Sequence, residues 1–337
     1  MRSNRVRKES AGLAARGTRA FTLIELMVVI AIITLLISIL LPSLSKARDH
    51  AKNVKTKAML KAIGDSLEMY RNDNETDKTA KATNGYPPSA MGEDPAVTGT
   101  GDFIVGANWL VRYLMGKDLA GYAPRRNVPA ALLNPGGQDE EVPWYGYDTN
   151  GKPVVDRVGP YLDNQAVKVV RTMDLDQGPG NTPSNNFKTR EEQVIVDQFG
   201  YPVLYYVSNP VQASKPHANI ASFDGTVPGI FTMKDNALFT GLCQGTMCNL
   251  NGWDFGEAPK HYLGDFGAYN PPDVIHIRDN VKTFPYYILD RDLYDASYNT
   301  DNPNQTTATP YRKDSFLLIT AGKDGIFGSS DDVNNFR

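Results

Sequence analysis

The chain has 337 residues, enough for one large domain or two modest ones, so burial of a core is not limited by size. Its 35 basic and 38 acidic residues nearly balance, but residues 1–20 and 45–61 each carry a net charge of +5, which leaves −13 for the rest. An acidic body of this kind argues against nucleic acid as the main partner.

An apolar stretch follows the basic N-terminal segment 1–20. Residues 26–41 contain no charged side chain, and a helix over residues 26–44 rises about 28 Å, close to the thickness of a membrane's hydrocarbon core. We therefore expect residues 21–44 to cross a membrane, which excludes a soluble cytosolic protein. The basic head predicts an N-terminus in the cytoplasm and an exported body.

A secretory signal is an alternative interpretation of the same stretch. The basic start, the apolar region and "SLSKA", which ends at Ala47, fit a cleavable signal, although the apolar region exceeds the usual length of about 7–15 residues. A generic signal anchor, in which the acidic residue of the span is accidental, is a second alternative.

The acidic residue is Glu25, and no cation lies near it within the span. A carboxylate in lipid costs several kcal/mol unless it meets a partner. We therefore expect Glu25 to have a functional role. Cleavage between Ala20 and Phe21 would create an α-amine about one helical turn from Glu25. That amine can partly neutralise the carboxylate of its own chain or meet that of a staggered neighbour.

The stretch "FTLIELMVVIAIITLLISILLP", preceded by the basic leader, closely resembles the N-terminal signal of type IV pilins and type II secretion pseudopilins. The resemblance implies that a prepilin peptidase cuts after Ala20 and that Phe21 is methylated on its new amine. It also implies that Glu25 guides assembly. The family usually has Gly before the cut, so we expect cleavage after Ala20 to be slower.

Pro42 lies inside the predicted helix, where a proline removes one hydrogen bond and clashes with the preceding turn. It predicts a kink or local melting, and the equivalent segment often loosens when subunits of this family assemble. A proline that ends the span at the interface is the alternative. Apolar steps of three and four residues continue beyond it, so residues 45–74 are expected to extend the helix as an amphipathic half.

Residues 75–337 form the expected exported globular domain. The chain contains 29 Gly and 22 Pro, so we predict an α+β fold in which the long N-terminal helix packs on a loop-rich domain with a small antiparallel sheet. A short helix is expected at 107–116. The predicted strands are 166–171, 194–196, 203–207, 227–232, 285–289 and 316–320.

Two stretches of this domain extend the resemblance. "VIVDQFGYPVLYYVS", residues 194–208, resembles the D-x-W-G-x-P-x-x-Y stretch of major pseudopilins, with Phe199 in place of Trp. Residues 314–337 resemble their final strand and calcium loop. The segments at about 90–190 and 209–313 are longer than in a minimal major pseudopilin and are interpreted as inserts.

The cysteines, Cys243 and Cys248, are the only two in the chain. In an exported body they could form a disulfide that closes a tight loop, and two free thiols are the alternative. Their spacing is not that of a CxxC redox pair, and two cysteines alone do not make a zinc site.

The C-terminal segment "AGKDGIFGSSDDV" concentrates oxygen ligands of the kind that calcium prefers. Its spacing is not that of an EF-hand. The resemblance implies one Ca²⁺ bound by carbonyls near residues 320–326 and by the side chains of Asp324, Ser329, Asp331 and Asp332. The alternative is a solvated acidic turn.

No sequence pattern for catalysis is present. The four histidines form no metalloprotease motif, and the chain lacks a nucleophile elbow, a Walker loop and a dinucleotide fingerprint. Aromatic residues of the body could form a glycan-binding surface or pack in the core, namely Trp144, Tyr145, Tyr147, Trp253, Tyr286 and Tyr287.

These observations predict a non-enzymatic filament subunit of the type IV pilin superfamily, nearest to the type II secretion pseudopilins. It would be held in the bacterial cytoplasmic membrane by one span and polymerised outward into the periplasm or onto the cell surface. The implied partners are the prepilin peptidase, other pilin or pseudopilin subunits, the inner-membrane assembly platform and the membrane itself. An adhesin displayed on a pilin-type stalk, a tethered enzyme and a plain signal-anchored protein are the alternatives.

Overall fold

A computed structural model describes ten segments of the chain, residues 21–74, 83–90, 92–93, 103–129, 145–175, 192–215, 218–241, 261–267, 282–298 and 306–337. The chain divides into two compact units, Met1–His50 and Ala51–Arg337. The boundary between them lies inside the first helix.

Helix α1 runs from Leu23 to Asn74 and continues through Pro42. In the first unit its large apolar side chains are exposed, and α1 is long and apolar enough to cross a membrane. The helix confirms the long N-terminal element predicted from the sequence. The predicted kink at Pro42 stays a prediction.

In the second unit, one side of α1 is buried because its apolar residues recur every three or four positions. The buried hydrophobic side chains are Met59, Leu60, Ile63, Leu67 and Tyr70. At the end of the helix, the Asn74 amide donates to the Tyr70 carbonyl at 2.9 Å and accepts from Arg126 Nη1 at 2.9 Å. The hydrogen bond from Arg126 joins the last turn of α1 to the body.

The remaining elements are short, as the abundance of Gly and Pro predicts. The strands are β1 (Gly92–Glu93), β2 (Phe103–Ile104), β3 (Lys168–Arg171), β4 (Gln193–Val196), β5 (Leu204–Val207), β6 (Ala221–Ser222), β7 (Phe231–Thr232), β8 (Phe316–Thr320) and β9 (Val333–Asn334). The helices are α2 (Gly106–Leu114), α3 (Pro210–Ala213), α4 (Ala237–Thr240), α5 (Phe284–Ile288) and α6 (Arg291–Ser297). Within the described residues, 3₁₀ turns lie at Arg125–Asn127, Thr172–Asp174, Met233–Asn236 and Tyr262–Gly264.

The central sheet has the strand order β5-β8-β9, and all its pairs are antiparallel. Leu204 pairs with Ile319 at one end of the β5–β8 ladder and Val207 pairs with Phe316 at the other. The pairs β1–β2 and β3–β4 are also antiparallel, whereas β6–β7 is parallel. These small sheets confirm the predicted α+β class.

The sheet separates two hydrophobic clusters of the second unit. Successive side chains of a strand point to opposite faces, so Leu204 and Tyr206 join one cluster while Tyr205 and Val207 join the other. The second cluster contains the buried side of α1, which packs there with α2 and Phe316. Because both faces of β5 are covered, this strand is a continuous apolar run instead of an alternating one.

The prediction of a strand at 285–289 is wrong, because residues Phe284–Ile288 form α5. A short apolar run does not distinguish a strand from a buried helix. Pro285 lies in the first turn of α5, where its missing N–H is not needed and its fixed φ suits the helix. Strand β9, which the sequence analysis did not predict, extends the sheet beyond β8.

The segment 209–313 contributes directly to the first cluster through its described parts. Ile230, Phe231 and Phe284 are buried there beside Leu204 and Leu317 of the central sheet. This segment is therefore part of the hydrophobic core of the second unit and not an appendage to it.

Candidate functional site

The first site is the start of α1, where Thr22 and Glu25 form a reciprocal cap. The backbone N–H and the hydroxyl of Thr22 both donate to Glu25 Oε2, at 2.9 and 2.8 Å. The N–H of Glu25 in turn donates to Thr22 Oγ1 at 3.3 Å. This is the capping-box arrangement, in which the side chains at the first and fourth positions satisfy each other's backbone N–H groups.

The capping role of Thr22 was missed in the sequence analysis, although the T-x-x-E spacing before an apolar run is a recognisable signal. The cap explains how the helix tolerates an acid near its start, because Oε2 already has two donors. Among the described residues, none donates to Oε1. Phe21 is 78% exposed beside this cap, and Ala20, the other predicted processing residue, lies outside the described residues.

The second site is the turn that joins β4 to β5. Asp197 is 2% exposed, and its Oδ1 accepts from the N–H groups of Phe199 at 2.8 Å and Tyr201 at 3.0 Å. Gly200 has a φ of +96°, a conformation that favours glycine. Burial raises the pKa of Asp197, against the hydrogen bonds from these N–H groups, which lower it.

The Phe199 ring of this turn contacts α1. The Lys52 ammonium lies 4.7 Å from the centre of the ring, within the range of a cation–π interaction. The D-x-F-G-x-P stretch therefore closes the β4–β5 connection and also holds an aromatic ring against the helix.

The third site is the C-terminal loop between β8 and β9, which contains the four predicted calcium ligands. Asp331 accepts from the N–H groups of Lys323 at 2.8 Å and Asp324 at 3.0 Å, and from the Ser329 hydroxyl at 2.5 Å. Asp332 accepts from the N–H of Gly328 at 2.7 Å. The acidic side chains thus close the turns of the loop.

The titration of these carboxyl groups reflects their different surroundings. Burial raises the pKa of Asp332 to about 7. Burial also raises the pKa of Asp324, whereas hydrogen bonds from Ser329 and from backbone N–H groups outweigh burial and lower that of Asp331. A divalent cation would favour the charged form of a buried carboxylate.

The oxygen ligands of this loop are compatible with calcium but do not establish that calcium binds there. Calcium binds carboxylate, hydroxyl and backbone carbonyl oxygens, and all three are present in the loop. Over the described part of the chain, however, no three His, Cys, Asp or Glu side chains converge in a way that could hold a metal ion. Calcium binding by Asp324, Ser329, Asp331 and Asp332 therefore stays a prediction.

The aromatic residues considered for a glycan-binding surface differ in their exposure and contacts. Tyr287 is 6% exposed and lies under the Arg337 guanidinium, 4.5 Å from the ring centre. Tyr147 is exposed and packs against Arg157, which also lies over the Tyr145 ring. Trp144, Trp253, Cys243 and Cys248 lie outside the described residues.

The N-terminal segment matches a known protein family. Residues 15–41 match the family described as the prokaryotic N-terminal methylation motif. This range includes Thr22, Glu25 and the predicted cleavage position between Ala20 and Phe21. No solved structure matches the chain at a significant level.

Curated relatives match over stretches of about 60 to 80 residues. The type IV wide pilus major component PilA4 of Thermus thermophilus is 43% identical over 61 residues, which are 18% of this chain and 47% of the relative. The type II secretion system core protein G of Pseudomonas aeruginosa is 41% identical over 59 residues, 18% of this chain and 42% of the relative. The core protein G of Klebsiella michiganensis is 38% identical over 83 residues, 25% of this chain and 52% of the relative.

The chain thus spans about half the length of the curated relatives it matches. Their names describe a pilus component and a secretion-system component and not an enzyme, which agrees with the prediction of a structural subunit. The resemblance inferred from the leader, Phe21 and Glu25 is confirmed by the family match and the relatives. Residues 15–41 therefore carry the N-terminal methylation motif, and the chain is similar to a type IV pilus component and to type II secretion core proteins G.

Proposed function

We propose that this protein is the structural subunit of a pilus-like filament and, more narrowly, a type II secretion pseudopilin. The observation that carries the proposal is the match of residues 15–41 to the methylation motif, at the start of a 52-residue helix. The exposed apolar side chains of its first half suit a membrane before assembly and neighbouring helices after it.

The proposed maturation begins with cleavage after Ala20 by a prepilin peptidase and methylation of the Phe21 amine. Cleavage removes the +5 leader and leaves a new cation at the first residue. Anchored by α1 with its body exported, the subunit is then added to the filament by the inner-membrane assembly platform.

In the assembled filament, the Phe21 amine of one subunit pairs with Glu25 of its neighbour. Oε2 of Glu25 is held by Thr22, which leaves Oε1 for an incoming cation. An ion pair is strong in a low-dielectric environment, and an unpaired carboxylate there is costly. The pairing would therefore fix the axial register of neighbouring subunits.

Replacing Glu25 tests this register. Glu25→Ala should give subunits that are cut at Phe21 and remain in the membrane but produce filaments at roughly a tenth of the wild-type level or less. The measurement is filament yield in a host with the assembly machinery, together with the mass of the mature N-terminus.

Thr22→Val is the matched control, because it removes the cap hydroxyl while keeping the Glu25 charge. It should assemble nearly as well as the wild type. Wild-type filament levels from Glu25→Ala would contradict the register role. A mature protein that begins after Ala47 would instead support a cleaved secretory signal and contradict the proposed function.

We also propose that the C-terminal loop binds one Ca²⁺. The proposal is supported by the resemblance of residues 314–337 to a pseudopilin calcium loop and by the near-neutral pKa of Asp332, a partly buried acid that a cation would stabilise as a carboxylate.

Calcium should raise the melting temperature of the purified chain, and EGTA should reverse the effect. Asp331→Asn should abolish the response, whereas Asp163→Asn, an exposed acid outside this loop, should leave it intact. Absence of calcium binding by calorimetry, with no change of melting temperature, would contradict the proposal.

A further inference from the structure

One side of α1 in the second unit remains exposed opposite the side that packs on the body. The exposed positions follow one another at steps of four, three, four and four residues, the spacing of a single helix face. They are Val54, Ala58, Lys61, Asp65 and Met69, and we call them the outer stripe.

The outer stripe combines apolar and charged side chains. Val54 is 54% exposed and Met69 is 55% exposed. Ala58, between Val54 and the charged pair, is small enough to let another helix approach closely. Two large apolar side chains on the same face as a small residue suit packing against a second helix better than contact with water.

The two charges of the stripe, Lys61 and Asp65, are exposed and of opposite sign. The ion pairs among the described residues include neither of them. Within one helix, an acid four residues after a lysine is the less favourable order for pairing. Both charges are therefore available to another molecule.

The offset between these charges repeats that of the N-terminal pair. Lys61 and Asp65 are four residues apart, as are Phe21 and Glu25, and in both pairs the cation comes first. Four helical residues rise about 6 Å. If two parallel copies of α1 are displaced by four residues, the Phe21 amine of one faces Glu25 of the other, and Lys61 faces Asp65.

We propose that the outer stripe is a contact between neighbouring copies of this chain, in which Lys61 of one subunit pairs with Asp65 of the next. The same displacement places Val54 of one copy against Ala58 of the other. This inference rests on the proposed filament function and adds a second set of residues that sets the axial register.

Charge reversal in trans tests the contact. In filaments of Lys61→Asp subunits, an acid faces an acid, and in filaments of Asp65→Lys subunits, a lysine faces a lysine. Each variant alone should give roughly tenfold fewer filaments than the wild type, because like charges would be juxtaposed at every contact. Co-expression of the two variants should restore the yield to within about twofold of the wild type.

The restoration is diagnostic because each variant still carries like charges within its own helix. Rescue can arise only from alternating subunits in which the opposite charges meet between chains. Lys55→Glu makes a charge reversal of the same size at an exposed position on another side of α1, and it should leave the yield unchanged.

Wild-type yields from both single variants, or a mixture no better than either variant alone, would overturn the contact while leaving the proposed function intact. A wild-type protein that forms no filaments would contradict the proposed function itself. Thermal melting of each purified variant identifies a loss of folding, and a loss of folding in both variants together with failed rescue would also count against the contact.

Discussion

At the residue scale, the carboxylate of Glu25 caps its own helix and, in the proposed filament, would also pair with a neighbouring subunit. The N–H and the hydroxyl of Thr22 both donate to Oε2, so the start of α1 is capped within a single chain. The T-x-x-E pattern explains the cap at the helix terminus. The position of the acid in an apolar span is explained by its pairing in the proposed filament. The proposed pairing would leave the cap in place, because it would use the other oxygen of the carboxylate.

Asp197 provides a pH-dependent prediction at this scale. Burial raises its folded-state pKa above the ordinary value of 3.8, so the folded chain holds this proton more tightly than the unfolded chain. The contribution of Asp197 to stability should therefore fall as pH rises from about 4 through the folded-state pKa. Asp197→Asn keeps the acceptor for the turn but removes the buried charge, so its melting temperature relative to the wild type should increase with pH.

Asp118→Asn is the control with the opposite sign. Burial alone would raise the pKa of Asp118, but the hydrogen bond and charge of Arg157 hold it below its usual value. Removal of that carboxylate should cost stability at pH 7 and less at pH 3. Melting curves of both variants over this pH range provide the comparison, and a flat difference for Asp197→Asn would contradict the assignment.

At the element scale, the way that helices approach their neighbours decides which glycines can be replaced. Gly106 begins α2, and a Cβ there would lie 2.1 Å from the Tyr205 carbonyl oxygen of β5. Gly64 lies inside α1, and a Cβ there would make only an ordinary contact at 3.7 Å with the Phe316 ring. The contact between α2 and β5 therefore requires glycine, whereas that between α1 and β8 does not.

Alanine at the two positions should have opposite effects. Gly106→Ala should destabilise the body by about 1–3 kcal/mol, because the backbone must shift to relieve the overlap. Gly64→Ala should stabilise it by about 0.5–1 kcal/mol through helix propensity. Denaturant unfolding of both variants measures the difference, and a stabilising Gly106→Ala would show that α2 does not approach β5 so closely.

At the scale of the whole molecule, the central sheet unites segments that lie far apart in the chain. One face of the sheet packs on α1 in the second cluster. The opposite face packs on residues from the segment 209–313 in the first cluster. The segment 209–313, which the sequence analysis interprets as an insert, therefore contributes to the core and does not lie only on the surface. A binding function confined to the segment 209–313 could not be tested by deleting it, since the core would be lost.

The loss of stability caused by a substitution in the segment 209–313 should increase with the burial of the replaced side chain. Phe231 is 0% exposed in the first cluster, so Phe231→Ala should cost about 3–5 kcal/mol. Val211 is 62% exposed, so Val211→Ala should change stability by less than about 0.5 kcal/mol. Resistance to proteolysis and thermal unfolding report the effect, and equal stability of the two variants would show that the segment does not share the core.

The sequence by itself determined the N-terminal part of this protein. The apolar span and the amphipathic extension are local patterns along one helix, and the family match includes Phe21, Glu25 and most of the span. Strand β8 was also predicted with its observed bounds, because its apolar run is flanked by turn residues. These features need no information from distant parts of the chain.

Only the tertiary structure decided the features that depend on distant partners. Residues Phe284–Ile288 form a helix because Pro285 suits a first turn and both sides of the segment are covered, which a short apolar run cannot reveal. The exposure of Lys61 and Asp65 on one face of α1 likewise follows from which side the body covers. Burial is a property of the packed molecule, and periodicity specifies a face without specifying what covers it.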